Sequence, residues 1–282
     1  MLNWIQPPHC PVIAKYVECY WLIEKPEGAN SHQFPKLNPD PSAHLILSPS
    51  QQAFSYDSKV EISKGSGSHW LYPHHHTLQL DHTHAFVHLG IKFHIGALYS
   101  LRRTDDTQPL LDLVKTTSLA RILELPSLDN SVSETLINLG RTDKENCRDQ
   151  LDAILLSWMQ EAKEDQHSKL TRKALPLIKT HAISEIGDQL HCSQRTLERS
   201  FSRVTGLTLK QCQTMNKLEA ILEYLYQHEM RSIDWVDVAL QFGFSDQPHL
   251  IRQLKKQIGL TPKAYAKQGG LTIDVYGGVS DY

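Results

Sequence analysis

The sequence has no cysteine pair of the C-x-x-C type and no apolar run as long as a membrane span. Its five cysteines form an odd, scattered set: Cys10, Cys19, Cys147, Cys192 and Cys212. Such a set predicts reduced thiols and argues against a disulfide framework or a zinc site. The N-terminal stretch MLNWIQPPHC has no basic region followed by an apolar segment, so it does not match a secretion signal. We therefore expect a cytoplasmic protein with no membrane partner.

The chain also lacks a strong net charge, which is −2 overall, but its two parts differ in sign. Residues 1–168 carry 14 basic and 20 acidic side chains, whereas residues 169–268 carry 15 basic and 9 acidic ones. A basic C-terminal part joined to an acidic N-terminal part predicts that only the C-terminal part binds a polyanion.

Short apolar runs separated by Pro, Gly, Ser and Asn fill the first hundred residues. Their alternation predicts strands at 16–24, 43–49, 53–57, 60–63 and 85–96. Helical spacing of apolar residues then predicts helices at 109–123, 131–141 and 146–165. The predicted fold class is α+β, with a β-barrel or sandwich over 1–100 and trailing helices over 101–165. The polar stretch 161–169 predicts the end of this N-terminal domain, 1–165.

Two groups of residues in this domain have two interpretations each. A stripe at helical spacing fits either a dimer surface or packing against the domain itself; it consists of Leu151, Ile154, Leu155, Trp158 and Met159. The aromatic residues fit either a hydrophobic core or the lining of an effector pocket. They are Trp4, Tyr16, Tyr20, Trp21, Phe34, Phe54, Trp70 and Phe93.

Eight histidines lie within residues 69–94: His69, His74, His75, His76, His82, His84, His88 and His94. If His84 and His88 share a face of a barrel, they could be metal ligands. No nearby carboxylate has a convincing ligand spacing, and the HHH run follows a proline. We therefore favour histidines of the surface and loops, and we predict no cofactor and no metal site.

The C-terminal part contains an internal repeat at a shift of 53 residues. Gln194, Leu197, Arg199 and Phe201 align with Gln247, Leu250, Arg252 and Leu254, and Gly206-Leu207-Thr208 aligns with Gly259-Leu260-Thr261. Each copy predicts a short helix, a tight turn, a second helix and a glycine stop. The first turn is predicted around HC, before a helix capped by Ser193. The second is predicted at Gly243, which favours positive φ, with Ser245 or Asp246 as the next cap.

The second helix of each copy has an apolar side and a polar side. In the first copy Leu197, Phe201 and Val204 fall on one side, and Arg195, Glu198, Arg199 and Ser202 fall on the other. In the second copy Leu250, Ile251, Leu254 and Ile258 form the buried side, and His249, Arg252, Gln253 and Lys256 point away. Arginine can donate two hydrogen bonds to guanine, and a carboxylate can accept one from cytosine. Both helices therefore suit a DNA major groove.

Residues 209–230 separate the two copies and carry an apolar helical stripe at Leu218, Ile221, Leu222 and Leu225. About 18 helical residues would span roughly 27 Å. Successive major grooves on one side of B-DNA lie about 34 Å apart. A rigid helix of that length would let the two copies reach adjacent grooves.

Three stretches in this order resemble the DNA-binding domain of the AraC/XylS family of bacterial transcription regulators: SQRTLERSFSRVTGLTLKQ, MNKLEAILEYL and VALQFGFSDQPHLIRQLKKQIGLTPKAY. The resemblance implies a domain at 169–268, with two helix-turn-helix units joined by a helix, that binds promoter DNA. It places base contacts at Arg195, Glu198, Arg199, Gln247, Pro248, His249 and Arg252. We expect contacts to the DNA backbone at Ser193, Thr196, Ser202, Arg203, Lys210, Ser245, Gln253, Lys255, Lys256 and Lys263. Pro248 replaces the serine that is usual in the family, and residues 269–282 form a tail past its usual end.

The N-terminal part resembles a sensory domain that precedes such DNA-binding domains, on the stretches NPDPSAHLILS and HLGIKFHIGALYSL. We therefore predict a transcription regulator that is not an enzyme. Its expected partners are promoter DNA, RNA polymerase, an unknown small-molecule effector, and a second copy bound through the N-terminal domain. The rival predictions are a metal-dependent cupin-like enzyme fused to a DNA-binding anchor, and an adaptor whose helices bind proteins.

Overall fold

The computed structural model describes residues 2–29, 33–102, 108–125, 131–227, 233–258 and 261. The tail 269–282 lies outside this range. The strands are β1 Leu2–Gln6, β2 Val17–Lys25, β3 Lys36–Leu37, β4 His44–Leu47, β5 Ala53–Asp57, β6 Ile62–Ser66, β7 His69–Leu71, β8 Leu78–Leu80, β9 Phe86–Phe93 and β10 Val114–Thr116.

The helices follow the strands in two groups. The N-terminal domain contains α1 Pro11–Ala14, α2 Ala97–Leu101, α3 Leu119–Leu123, α4 Ser131–Thr142 and α5 Lys144–Gln160. The C-terminal part contains α6 Gln166–Thr180, α7 Ile183–Gln189, α8 Gln194–Thr205, α9 Leu209–Gln227, α10 Trp235–Gln241 and α11 Gln247–Ile258. Among the described residues, no helix combines the length and the apolar character that crossing a membrane requires.

The strands form two antiparallel sheets, which confirms the α+β class and selects the sandwich over the closed barrel. The six-stranded sheet has the order β1-β2-β9-β4-β7-β10, and the four-stranded sheet has the order β3-β8-β5-β6. β9 lies inside the larger sheet and all eight of its residues are buried, because the four-stranded sheet covers one side and helices cover the other.

The apolar stripe of α5 packs against the domain itself. Leu151, Leu155, Trp158 and Met159 are buried in the same core as the six-stranded sheet. The indole of Trp158 donates a hydrogen bond to the carbonyl of Leu101 at 3.0 Å. These side chains are therefore not available as a dimer surface.

The predicted helix at 109–123 is wrong over most of its length. β10 occupies 114–116 and extends the larger sheet by pairing with β7, and only Leu119–Leu123 is helical. The apolar residues of this stretch match helical spacing by sequence alone. The backbone of 114–116 pairs instead with the edge of β7, which overrides the local helical spacing. The helix starts later, where the hydroxyl of Ser118 accepts a hydrogen bond from the backbone N–H of Arg121.

The prediction of surface and loop histidines is also wrong for His69, His74, His82 and His88, which are buried. His84 is exposed, so it does not share a face with His88. The hydroxyl of Tyr56 lies 2.8 Å from His69 Nε2, and Ser48 Oγ lies 2.7 Å from His88 Nδ1. Such partners make a buried neutral imidazole tolerable.

Burial lowers the pKa of three of these histidines: to about 4 for His69 and His74, and to about 3 for His82. Burial also lowers the pKa of His88, and the nearby His69 adds to this effect. All four are therefore neutral at pH 7. Among the described residues, no group of three or more His, Cys, Asp or Glu side chains could hold a metal ion.

The C-terminal part has two separate apolar cores that share one helix. The first core joins α6, α7 and α8 to the start of α9, through Leu209, Cys212 and Met215. The second joins α10 and α11 to the rest of α9, through Leu218, Ile221, Leu222 and Leu225. The connector helix is thus part of both units, and bending it would disrupt one core or the other.

Candidate nucleic-acid interface

The first helix-turn-helix unit consists of α7, a turn and α8. Ser193 caps α8 as predicted: its hydroxyl accepts a hydrogen bond from the backbone N–H of Thr196 at 3.1 Å. Leu197 and Phe201 are fully buried. Arg195 and Arg199 are exposed on the opposite side. The apolar face of α8 therefore packs against the rest of its unit, and its polar face is exposed to solvent.

Glu198 shares that polar face but has a partner. Gln194 Nε2 donates to Glu198 Oε1 at 2.9 Å, across one helical turn. This contact holds the carboxylate beside the arginines. α8 therefore presents two cations and one acceptor along a single exposed face.

The second unit consists of α10, a turn and α11. Gly243 has φ +68° in the turn, as predicted, and the N–H of Phe244 donates back to the carbonyl of Ala239 at 2.8 Å. Asp246, rather than Ser245, caps α11, because its Oδ1 accepts from the backbone N–H of His249 at 2.7 Å. Ser245 Oγ instead lies 3.2 Å from both Asp246 Oδ2 and His249 Nδ1.

The predicted contact residues lie on the outside of both units. Leu250 and Leu254 are buried, and Ile251 is half-buried. The exposed residues are Ser193, Arg195, Thr196, Glu198, Arg199, Ser202, Arg203, Lys210, Ser245, Pro248, Arg252, Lys255 and Lys256, and the half-buried ones are Gln247, His249 and Gln253. Lys263 lies outside the described residues.

The arginines of the two exposed faces are unpaired. Arg195, Arg199 and Arg252 make no ion pair or hydrogen bond through their side chains within the described part of the chain. Arg199 and Arg252 also occupy equivalent positions of the repeat, two residues after Leu197 and Leu250. Exposed guanidinium groups at equivalent positions of two similar units can bind a ligand that has regularly spaced negative charges.

Arg203 differs, because its guanidinium contacts the N-terminal domain. Its Nε–H donates to the hydroxyl of Tyr99 in α2 at 3.1 Å. The connector helix makes a second link between the domains, where Glu219 Oε1 lies 3.8 Å from Lys92 Nζ of β9. Sequence reasoning missed Tyr99 and Lys92, because no local pattern shows which residues 100 positions apart will meet.

The comparisons with known proteins identify the C-terminal part. The model of a helix-turn-helix domain family matches residues 186–268. The transcriptional activator RhaR of Escherichia coli strain K12 is 28% identical to this chain over 96 residues, which is 34% of this chain and 33% of RhaR. RhaR of Shigella flexneri serotype 5b gives the same values. The chain thus matches about a third of the length of these relatives.

Two solved structures have related shapes. ToxT of Vibrio cholerae O395 superposes with a TM-score of 0.47 at 10% identity, covering 88% of this chain and 96% of ToxT. The C-terminal domain of AraT, a response regulator from Geobacillus stearothermophilus, superposes with a TM-score of 0.34 at 20% identity, covering 42% of this chain and 96% of that domain.

Proposed function

We propose that this chain, whose C-terminal part carries an AraC-type helix-turn-helix domain, is a cytoplasmic transcription regulator that binds promoter DNA through both units. α8 and α11, called the recognition helices below, would enter two major grooves and read base edges. Lysines and arginines beside them would neutralise phosphates and fix the register.

The observation that carries this proposal is the match between the two recognition helices. Each buries a leucine two residues before an exposed arginine that has no side-chain partner among the residues the structure describes, Arg199 in α8 and Arg252 in α11. An exposed guanidinium group at the same place of each unit would let two similar helices make equivalent contacts in two grooves.

The connector helix gives the two units a fixed separation. α9 has 19 residues, and a straight helix of that length spans about 28 Å. Because each unit shares its core with α9, the separation does not depend on a flexible linker. Together with the widths of the units, it suits grooves about 34 Å apart.

The test is selection of bound duplexes from a random pool by the full chain, followed by sequencing. The expected winners contain two short conserved motifs whose centres lie about one helical turn apart. A pool that shows no enrichment, or binding that does not weaken steeply with salt, would reject the proposal in favour of an adaptor that binds proteins.

We extend the proposal to a small effector bound between the domains. A cavity of about 300 Å³ is lined by Trp70, Tyr72 and Trp158 of the N-terminal domain and by Val204 and Thr205 of α8. A ligand there would touch both domains and could bias how α8 meets DNA. Seven of the eight aromatic residues belong to the cores, namely Trp4, Tyr16, Tyr20, Trp21, Phe54, Trp70 and Phe93, and Phe34 is exposed. Trp70 also lines this cavity, and Tyr16 lines a second one.

The rival enzyme has no candidate centre in the described part of the chain. His69 and His88 are neighbours, with ring centroids 6.1 Å apart, but the described residues contain no third side chain that would complete a metal site with them. His69 contacts Tyr56, His88 contacts Ser48, and the ring of His82 packs against Phe86. The relatives that match the C-terminal part are named as transcriptional activators. Both findings favour the regulator.

A further inference from the structure

The N-terminal domain packs against the C-terminal end of recognition helix α8 on two sides. Gly96 packs so closely that a Cβ atom there would lie 2.7 Å from Val204 Cγ1. Pro109 and Leu111 cover the glycine that ends α8, where a Cβ on Gly206 would lie 2.9 Å from Leu111 Cδ1. This end of the helix is therefore fixed against the N-terminal domain by close packing.

Tyr99 adds a polar link at the same place. Its hydroxyl donates a hydrogen bond to Asp165 Oδ2 at 2.8 Å and accepts one from Arg203 Nε–H at 3.1 Å. Burial alone would raise the pKa of Asp165, but hydrogen bonds from the Ser168 backbone and from Tyr99 outweigh it and lower that pKa. Asp165 is therefore ionised at neutral pH. It polarises the Tyr99 hydroxyl, which strengthens the bond from the guanidinium.

Arg203 is the cation of α8 whose Nε–H this link occupies, although its side chain remains exposed to solvent. It follows Arg199 by one helical turn on the exposed side of the helix. Within the described part of the chain, Arg195 and Arg199 have no side-chain partner, whereas the Nε–H of Arg203 is already donated. A guanidinium binds a phosphate best through two parallel N–H groups, and the bond to Tyr99 limits how the group can turn.

We propose that Tyr99 is a positioning residue that withholds Arg203 from the DNA backbone, so that docking of the N-terminal domain on α8 competes with phosphate binding. This inference rests on the proposed function. It adds an autoinhibitory contact between the domains. Anything that separates α2 from α8, including a ligand in the adjoining cavity, would release one more cation to DNA.

The test is Tyr99→Phe in the full chain, measured on the selected duplex over a series of salt concentrations. Phenylalanine keeps the ring and its packing but removes both hydrogen bonds. We expect binding to tighten by about threefold to tenfold, the range that one net hydrogen bond contributes. The slope of log K against log salt should become steeper by about 0.9, because one more phosphate is neutralised.

Two variants control the interpretation. Tyr56→Phe removes a tyrosine hydroxyl whose partner is His69, within the N-terminal domain, and it should leave the affinity and the salt slope unchanged. Arg203→Ala removes the cation itself. In that background, Tyr99→Phe should have no further effect on either quantity, because there is nothing left to release.

The outcomes separate this inference from the function it rests on. Loss of specific, salt-dependent binding by the wild-type chain would remove the proposed function, and this inference with it. Wild-type binding that Tyr99→Phe leaves unchanged or weakens would remove the inference alone. A steeper slope that persists in the Arg203→Ala background would also overturn it, because another residue would then be responsible.

Discussion

At the residue scale, the proposed function depends on which guanidinium groups are available to DNA. The exposed faces of α8 and α11 present arginines that have no side-chain partner among the described residues. Buried leucines on the opposite face fix the rotation of each helix. If the proposal holds, each of these arginines would contact a base edge through its planar fork of N–H groups, which is preorganised and so loses less side-chain entropy per hydrogen bond. Its replacement should therefore affect one part of the DNA site and leave the fold intact.

The first prediction concerns Arg199→Ala and Arg252→Ala. Each should weaken binding to the selected duplex by about 1–3 kcal/mol and relax one position of the site, as expected for a lost bidentate contact to a base. Competition binding against single-base variants of the duplex measures both effects. Arg121→Ala, which removes an exposed arginine of the N-terminal domain, is the matched control. If all three variants bind target and scrambled duplexes as the wild type does, the assignment fails.

A second residue-scale prediction follows from His82, whose pKa burial lowers to about 3, with Lys25 contributing. The pKa of His82 is higher in the unfolded state, so that state binds the proton first. The free energy of unfolding therefore falls as the pH drops from about 6.5 towards 3. At pH 5 the titration of His82 lowers the free energy of unfolding by about 2 kcal/mol. His82→Phe removes the titration and keeps a ring 4.0 Å from that of Phe86, so it should reduce the loss of stability between pH 7.5 and 5.

Urea unfolding at the two pH values measures this effect. His84→Phe, which replaces an exposed neighbour, should leave the loss of stability unchanged. Equal pH dependence in His82→Phe and in the wild type would contradict the buried, neutral state of His82.

At the element scale, the two units could be predicted from the sequence because their signals are local. Ser193, Gly243 and the leucine stripes lie within a turn or two of the structures they specify, and their outcomes agree with the structure. Helix 109–123 could not be predicted correctly, because the pairing of β10 with β7 joins residues more than 40 positions apart. Edge pairing of this kind overrides local spacing.

The glycines that end the turns give the element-scale prediction. Gly206 and Gly243 both have positive φ, +75° and +68°. Alanine at either position should cost about 1–2 kcal/mol in the left-handed conformation. Gly206→Ala should cost more than Gly243→Ala, because its Cβ would also meet Pro109 and Leu111 of the N-terminal domain at about 3 Å, whereas the Cβ at 243 meets only the end of Lys217 at 3.4 Å. Thermal unfolding of both variants provides the comparison, and equal losses would contradict the close packing at Gly206.

At the scale of the whole molecule, the domains are joined by contacts that no local sequence pattern predicts. The polar stretch 161–169, predicted as the domain boundary, contains the start of α6 at Gln166. The residue that caps this helix, Asp165, also accepts a hydrogen bond from the hydroxyl of Tyr99. The fold class, the repeat and the polarity of the recognition helices could be predicted from composition and spacing. The buried histidines and the contacts between domains could not, because they depend on which distant surfaces pack together.

Lys92 gives the prediction at this scale. It is almost fully buried, and its ammonium group lies 3.1 Å from Glu18 and 3.8 Å from Glu219. Burial alone would lower the pKa of Lys92, but Asp40, Glu18 and Glu219 outweigh burial and raise it. Lys92→Met would leave these carboxylates without their cation. Asp40 is buried and keeps His44 as a partner, whereas the side chains of Glu18 and Glu219 stay partly exposed to water. The substitution should therefore reduce the free energy of unfolding by about 1–3 kcal/mol.

Lys144→Met is the matched control, because Lys144 is half-exposed and its ammonium lies 4.0 Å from Glu145. This surface pair should contribute less than about 1 kcal/mol. Urea unfolding of both variants gives the comparison. A loss in Lys92→Met no larger than in Lys144→Met would show that the buried charge does not link the connector helix to the N-terminal domain.

Hydroxyl-radical footprinting of the full chain on its selected duplex tests the central claim most directly, namely that one rigid connector places two similar helices in neighbouring grooves. We predict two protected segments on one face of the duplex, about 10 base pairs apart, with Arg199→Ala weakening protection in one segment and Arg252→Ala in the other. A single protected segment, or two variants that weaken the same base pairs, would contradict the account.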